Sequence, residues 1–181
     1  MNCEDEVIRL EIPTIKHKDD AVAFMREMAT ACENINGTGG LNEADSYEQW
    51  LENWNYKNTK EYEGYESKSL VPAVTFFAVR KSDDKIVGII DVRKNLCRIL
   101  DEKQGGNIGY STRPDERRKG YAKRMMKLAM EYCKKELGLK LVRAGCNEAN
   151  IGSRKTIESA GLRLIERREA IIPHLYFEWK E

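Results

Sequence analysis

The stretch from Gly109 to Ala122, GYSTRPDERRKGYA, constrains this chain more than any other. It reads as a strand broken at Arg113-Pro114, since proline cannot donate to a ladder and restricts the residue before it. A glycine-bearing loop follows and opens a long amphipathic helix, expected over about 117–137. The first N–H groups of such a helix have no intrahelical acceptor, and the helix dipole favours negative charge there. Arg117, Arg118 and Lys119 stand at this mouth, and Gly120 lets an anion approach the backbone closely. The layout suits a phosphorylated ligand.

Two common phosphate loops are excluded. The stretch lacks the Lys-Ser/Thr ending of a P-loop and the three-glycine spacing of a dinucleotide fingerprint. A second strand–helix unit lies downstream. Residues 140–146, KLVRAGC, suit a buried strand, and Asn150 stands where a helix N-cap is expected. The helix over 151–160 then stops at Gly161.

The pattern Arg117-x-x-Gly120-x-Ala122 resembles the pyrophosphate loop of the GNAT superfamily, the acyl-CoA-dependent N-acetyltransferases. The segment NEANIGSRKTIESAGL resembles a second element of that superfamily, with Asn150, Ser153 and Gly161 in register. Together these motifs span Gly106 to Leu162, about a third of the chain. The segments INGTGGLNEADSYEQWL, VPAVTFFAVR and GGNIGYSTRP further resemble those of a bacterial group within it. The resemblance implies an α/β (α+β) fold. Its central sheet is mixed and mostly antiparallel, flanked by helices, with splayed middle strands. It also implies acetyl-CoA as co-substrate and an amine acceptor.

Composition sets the outer limits. A chain of 181 residues with 41% hydrophobic content is expected to form one domain, 1–181. Its 31 Lys+Arg and 30 Asp+Glu leave a net charge of +1, so no global charge draws it to nucleic acid or membrane. The acidic start MNCEDEVIRLEIP has no signal-peptide core. Five scattered cysteines, no C-x-x-C pair and two histidines argue against a disulfide scaffold or a metal site and favour the cytoplasm. The assembly is left open, a homodimer included.

Along the chain, an opening strand is expected at Val7–Ile12 and a helix over His17–Asn34, with Ala21, Phe24, Met25, Met28 and Cys32 at helical spacing. A mobile loop, 36–40, precedes a second helix from about Ser46 that carries Trp50 and Trp54 on one face. Lys57–Ser69 reads as a loop. Strands at 75–81 and 85–93 are joined by the turn Ser82-Asp83-Asp84, and 95–103 reads as a short helix. Two strands near 162–170 and 174–180 close the order βααββ(α)βαβαββ.

Under the resemblance, the pyrophosphate would meet the backbone of Arg118, Lys119, Gly120, Tyr121 and Ala122, with Arg117 beside it. Pantetheine amides would pair with the strand edge at Ser111, Thr112 and Arg113, and Asn150, Ser153 and Arg154 would reach the cofactor from the second helix. Many relatives place a proton-donating tyrosine where this chain has Ile157. Tyr110 and Tyr176 are therefore the candidate donors, with Tyr110 named first, and departure of the thiolate helped by water and backbone N–H groups is the other route. Glu43, Asp45, Asp91 and His174 are candidate bases. Asp91 is preferred, since it follows the apolar run Ile86–Ile90 and burial would raise its pKa. Cys146 reads as inert packing. Acceptor contacts are expected from Gly37 to Trp54, with Asn36, Trp50, Trp54 and Tyr56. The competing reading is a catalytically silent acyl-CoA-binding module, which the isoleucine at position 157 keeps open.

Overall fold

In the computed structural model of the protein, residues 7–31, 35–59, 71–96 and 106–181 are described, the side chains of 54–59 apart. The elements run β1 (Ile8–Glu11), α1 (Lys18–Thr30), α2 (Tyr47–Thr59), β2 (Ala73–Arg80), β3 (Ile86–Arg93) and β4 (Ile108–Thr112). Then come α3 (Tyr121–Lys135), β5 (Leu141–Asn147), α4 (Ile151–Ser159), β6 (Arg163–Arg168) and β7 (His174–Lys180). The strands form two antiparallel sheets, ordered β1-β2-β3-β4 and β5-β7-β6. β4 and β5 belong to different sheets and lie in contact without forming a ladder, which is the expected splay.

The first sheet is covered on both faces. Successive side chains of a strand point to opposite sides. Phe76 therefore meets Tyr132 of α3 with ring centroids 5.0 Å apart, while Phe77 meets Trp50 of α2 at 6.0 Å. This double cover explains why β3, IVGIIDVR, is buried in every residue but its last. Fully burying a side chain like Phe77 contributes about 1.5–3 kcal/mol. α3 buries Tyr121, Met125, Met126, Ala129, Met130 and Cys133 against the sheet, one stripe at helical spacing.

Several boundaries differ from the sequence reading. α3 begins at Tyr121, four residues late, because Arg118 and Gly120 adopt left-handed backbone with φ of 60° and 83°. Residues 114–116 form a single 3-10 turn instead. α2 continues to Thr59, past the expected helix end. The short helix expected at 95–103 and most of the loop at 57–69 fall outside the described residues, as do Cys3, Cys32 and Cys97 and the side chains of Trp54 and Tyr56.

Candidate active site

The cleft opens between β4 and β5, whose backbones, among the described residues, are bonded to one another at its base. There the Asn107 N–H donates to Arg143 O at 2.7 Å, and the Arg143 N–H donates to Asn107 Oδ1 at 2.9 Å. Beyond this point β4 keeps an outward backbone edge. The β3–β4 register and the bonds Arg113 N to Val87 O and Arg93 N to Asn107 O commit the backbones of Gly109, Ser111 and Arg113 to β3. The outward-facing backbones belong to Ile108, Tyr110 and Thr112. Of the three edge residues expected from sequence, Thr112 alone faces the cleft, and the strand's period of two is the reason.

The side chains of Ser111 and Arg113 also turn elsewhere. Arg113 is 1% exposed. Its Nη1 donates to Ile86 O at 2.8 Å and its Nη2 to Asp20 Oδ1 at 2.8 Å. Nε lies 2.8 Å from Glu27 Oε2, an ion-pair distance without hydrogen-bond alignment. A buried guanidinium persists only with such partners, so Arg113 ties α1 to the end of β4 and does not reach into the cleft. Ser111 Oγ accepts from Asn36 N and donates to Asn36 O, both at 2.9 Å.

Behind the loop that follows β4 sits a buried carboxylate, Glu116, 3% exposed. It accepts from Lys119 Nζ at 2.9 Å, Lys85 Nζ at 3.0 Å and Arg80 Nη1 at 2.9 Å. Burial alone would raise its pKa, but the hydrogen bonds from Lys119 and Lys85 hold it at about 2. Lys119, expected at the anion, is thus turned to Glu116. Arg117 Nε donates to Thr112 O at 3.2 Å. Tyr121 packs inward with its hydroxyl 3.3 Å from Arg80 Nη1, leaving its backbone N–H at the mouth. Arg118 is exposed and has no ion pair among the described residues. Arg124, which the sequence reading passed over, lies across the loop and donates from Nη1 to Lys119 O at 3.3 Å. Its signal was present, one helical turn after Gly120. The N–H groups of Gly120, Tyr121, Ala122 and Lys123 precede the first intrahelical bond, Arg124 N to Gly120 O. These donors, with Arg118 and Arg124, could hold a pyrophosphate.

On the α4 side, Asn150 caps its helix, its Oδ1 accepting from Ser153 N at 2.9 Å. Ser153 Oγ in turn lies 2.9 Å from the Tyr110 hydroxyl, a bridge from α4 to β4 across the cleft floor. Burial raises the pKa of Tyr110, opposed by hydrogen bonds with Ser153 and Thr156, so the phenol keeps its proton. Cys146, on the same face of β5, is also pushed up by burial. Ile157 is fully buried in the core, while Arg154 is exposed and paired with Glu158 at 2.9 Å.

The opposite face carries the segment 35–40, laid directly on β4. A Cβ on Gly37 would lie 2.2 Å from Gly109 O, and one on Gly39 would lie 2.1 Å from Thr75 Oγ1. Both residues have positive φ, so glycine is required twice over. Trp50 Nε1 donates to Gly39 O at 3.1 Å and holds the loop from above. Asp91 lies beneath it, 5% exposed, accepting from Thr75 Oγ1 at 2.8 Å. Glu43 and Asp45 are exposed. His174 is buried at the start of β7, opposite Asn147 of β5. Tyr176, the alternative donor, shares its face and packs its ring 5.3 Å from that of His174, away from the Tyr110–Ser153 bridge.

A family model described as an acetyltransferase (GNAT) domain matches residues 9–163. Among solved structures, a ribosomal-protein-S5-alanine acetyltransferase from Vibrio fischeri superposes with a TM-score of 0.66 at 16% identity, over 97% of this chain and 93% of that one. A microcin self-immunity acetyltransferase, solved with acetyl-CoA and AMP, gives 0.64 at 15% identity, over 97% and 93%. A spermidine N-acetyltransferase from Vibrio cholerae gives 0.63 at 12% identity, over 95% and 94%. A search of curated protein sequences finds no match. No helix among the described residues is long and apolar enough to cross a membrane, and no group of three or more His, Cys, Asp or Glu among them could hold a metal ion. The splayed sheets, the donor-lined loop after β4 and the family match lead to one conclusion: the chain belongs to the GNAT acetyltransferases, with acetyl-CoA as its co-substrate.

Proposed function

We propose that the protein moves an acetyl group from acetyl-CoA to a primary amine by direct transfer in the cleft between β4 and β5. Acetyl-CoA brings the activated acetyl thioester, and the chain supplies binding, orientation and protons. The N–H groups of Gly120 to Lys123, with Arg118 and Arg124, receive the pyrophosphate, and the outward edge of Tyr110 and Thr112 receives the pantetheine amides. Tyr110 is the proton donor to the departing thiolate. The observation that carries this reading is its hydroxyl, 2.9 Å from Ser153 Oγ on the cleft floor. That bridge supports a protonated phenol as the donor even though Ile157 is core.

Asp91 is read as support for the glycine segment, since Gly39 and Thr75 close over it. The amine class is supported by structural neighbours named for alanine and spermidine acetylation. A cytoplasmic setting belongs to the same reading, in keeping with the free thiols of Cys133 and Cys146. The test is thiol release from acetyl-CoA with an alanine-terminated peptide, a lysine peptide and spermidine. Release that depends on an amine is expected. Acetyl-CoA binding without release on any of them would replace the enzyme by a silent acyl-CoA-binding module.

A further inference from the structure

The two faces of the splayed strands carry different chemistry. Tyr110 and Cys146 both approach Ser153, so they share the α4 face. By strand alternation Gly109 and Ser111 on β4, and Gly145 and Asn147 on β5, point the other way. Asn36 and Gly37 cover the first pair. His174 covers the second, with Nδ1 3.0 Å from Asn147 Oδ1 and Nε2 3.1 Å from where a Cβ of Gly145 would stand. An amide oxygen only accepts, so Nδ1 carries the proton and Nε2 keeps a lone pair. Nε2 has no hydrogen-bond partner among the described residues.

We propose that His174, its tautomer fixed by Asn147, is the base that takes the proton from the acceptor ammonium, on the face of the cleft opposite Tyr110. The proposal rests on the amine-transfer reading above. The step balances. An ammonium proton moves to Nε2, the freed amine nitrogen forms a bond to the thioester carbon, and the carbon–sulfur bond breaks. The thiolate leaves and takes a proton from Tyr110. The second nitrogen proton, shed as the amide forms, restores the Tyr110 phenol through solvent, and the proton on His174 returns to solvent. Gly145 gives the ring its place, since any side chain there would meet Nε2.

The surroundings suit the task. Burial lowers the imidazole pKa below its usual 6.5, so the ring is neutral and accepting near pH 7. Arg168, its partner across β6, is bonded to Glu166 and lies 4.3 Å over the Tyr176 ring. Glu148 pairs with Arg167, as does Glu169, so the nearby charges are matched among themselves.

Two kinds of acceptor test the proposal, spermidine and an alanine-terminated peptide as ammonium probes and hydroxylamine as an amine already neutral near pH 7. His174→Gln should slow the ammonium probes by about 10²–10⁴-fold, the range of a positioned base. It should leave hydroxylamine within about threefold and remove the fall in kcat below pH 6.5. Equal losses with both kinds of probe, or none, would overturn the proposal. Should His174→Gln unfold, Asn147→Leu decides. It releases the tautomer and should slow only the ammonium probes, and an unchanged kcat and acid limb would equally overturn the assignment. Wild-type protein that binds acetyl-CoA yet releases thiol with no amine would instead remove the amine-transfer reading itself.

Discussion

The loop that follows β4 and the segment that lies across it are held by opposite means. Residues 114–124 are fixed by charge, with three cations converging on Glu116 and Arg113 anchoring the strand end between Asp20 and Glu27. Residues 36–40 are fixed by proximity, two glycines pressed on Gly109 and Thr75, the Ser111 hydroxyl and one indole bond. The first arrangement should fail when charge is removed. The second carries almost no charge and fails when a single methyl group is added. Under the proposed function, a cofactor of fixed, highly charged form would meet the first, and the second would bound the side from which an acceptor comes.

That contrast can be broken or sharpened experimentally. The largest effect belongs to the floor both loops flank. Tyr110→Phe should lower kcat by about 10²–10⁴-fold while acetyl-CoA affinity stays within about twofold. Full kcat across pH would reduce Tyr110 to packing.

Glu116→Gln should destabilise the fold by on the order of 3 kcal/mol at pH 7, in line with a carboxylate held at about 2 against an ordinary 4.5. A depressed pKa stabilises above the unfolded value, and the gain is lost as pH falls through the folded one. Denaturant melts of the variant and the wild type should therefore converge between pH 4.5 and about 2. A gap that persists at pH 2 would show that the charge cluster does not hold this loop.

Gly37→Ala should raise the acceptor KM by at least about tenfold, because the added methyl meets a backbone carbonyl and must move the segment. Acetyl-CoA binding by calorimetry should be unchanged. Equal damage to both constants would mean that the two loops are coupled.

The smallest effects separate the cations. Arg118→Ala should weaken acetyl-CoA about tenfold, the scale of one charge-assisted hydrogen bond. Lys119→Ala should change that affinity by less than about twofold, since its ammonium serves Glu116. The reverse order, read from titrations at one ionic strength, would put the wrong cation at the phosphate.

Charge-held structure was the more legible in sequence, though incompletely. The strand, Pro114, the basic cluster and Gly120 announced the loop, and Asn150 announced its cap. Arg113 was misread because its partner Asp20 stands 93 residues away, and a basic residue beside other basic residues looks solvated. Lys119 could have been assigned correctly, for Glu116 is only three positions earlier. Proximity leaves no such trace. Glycines at 37, 39 and 40 look like a mobile linker until Gly109 and Thr75 are seen against them. His174 after Pro173 looked like a turn residue, and only the β5–β7 register reveals Asn147 opposite it. Asp91 was read correctly as buried, but the segment covering it was not foreseen.

The central claim is that the proton donor and the proton acceptor stand on opposite faces of one splayed pair of strands. The most direct measurement is kcat with hydroxylamine relative to kcat with an ammonium acceptor, in Tyr110→Phe and in His174→Gln. The ratio should rise by about 10²-fold or more in His174→Gln, where the neutral amine bypasses the lost base, and stay at the wild-type value in Tyr110→Phe, where thiolate departure is slow for every acceptor. Ratios that rise in both variants, or in neither, would contradict the division.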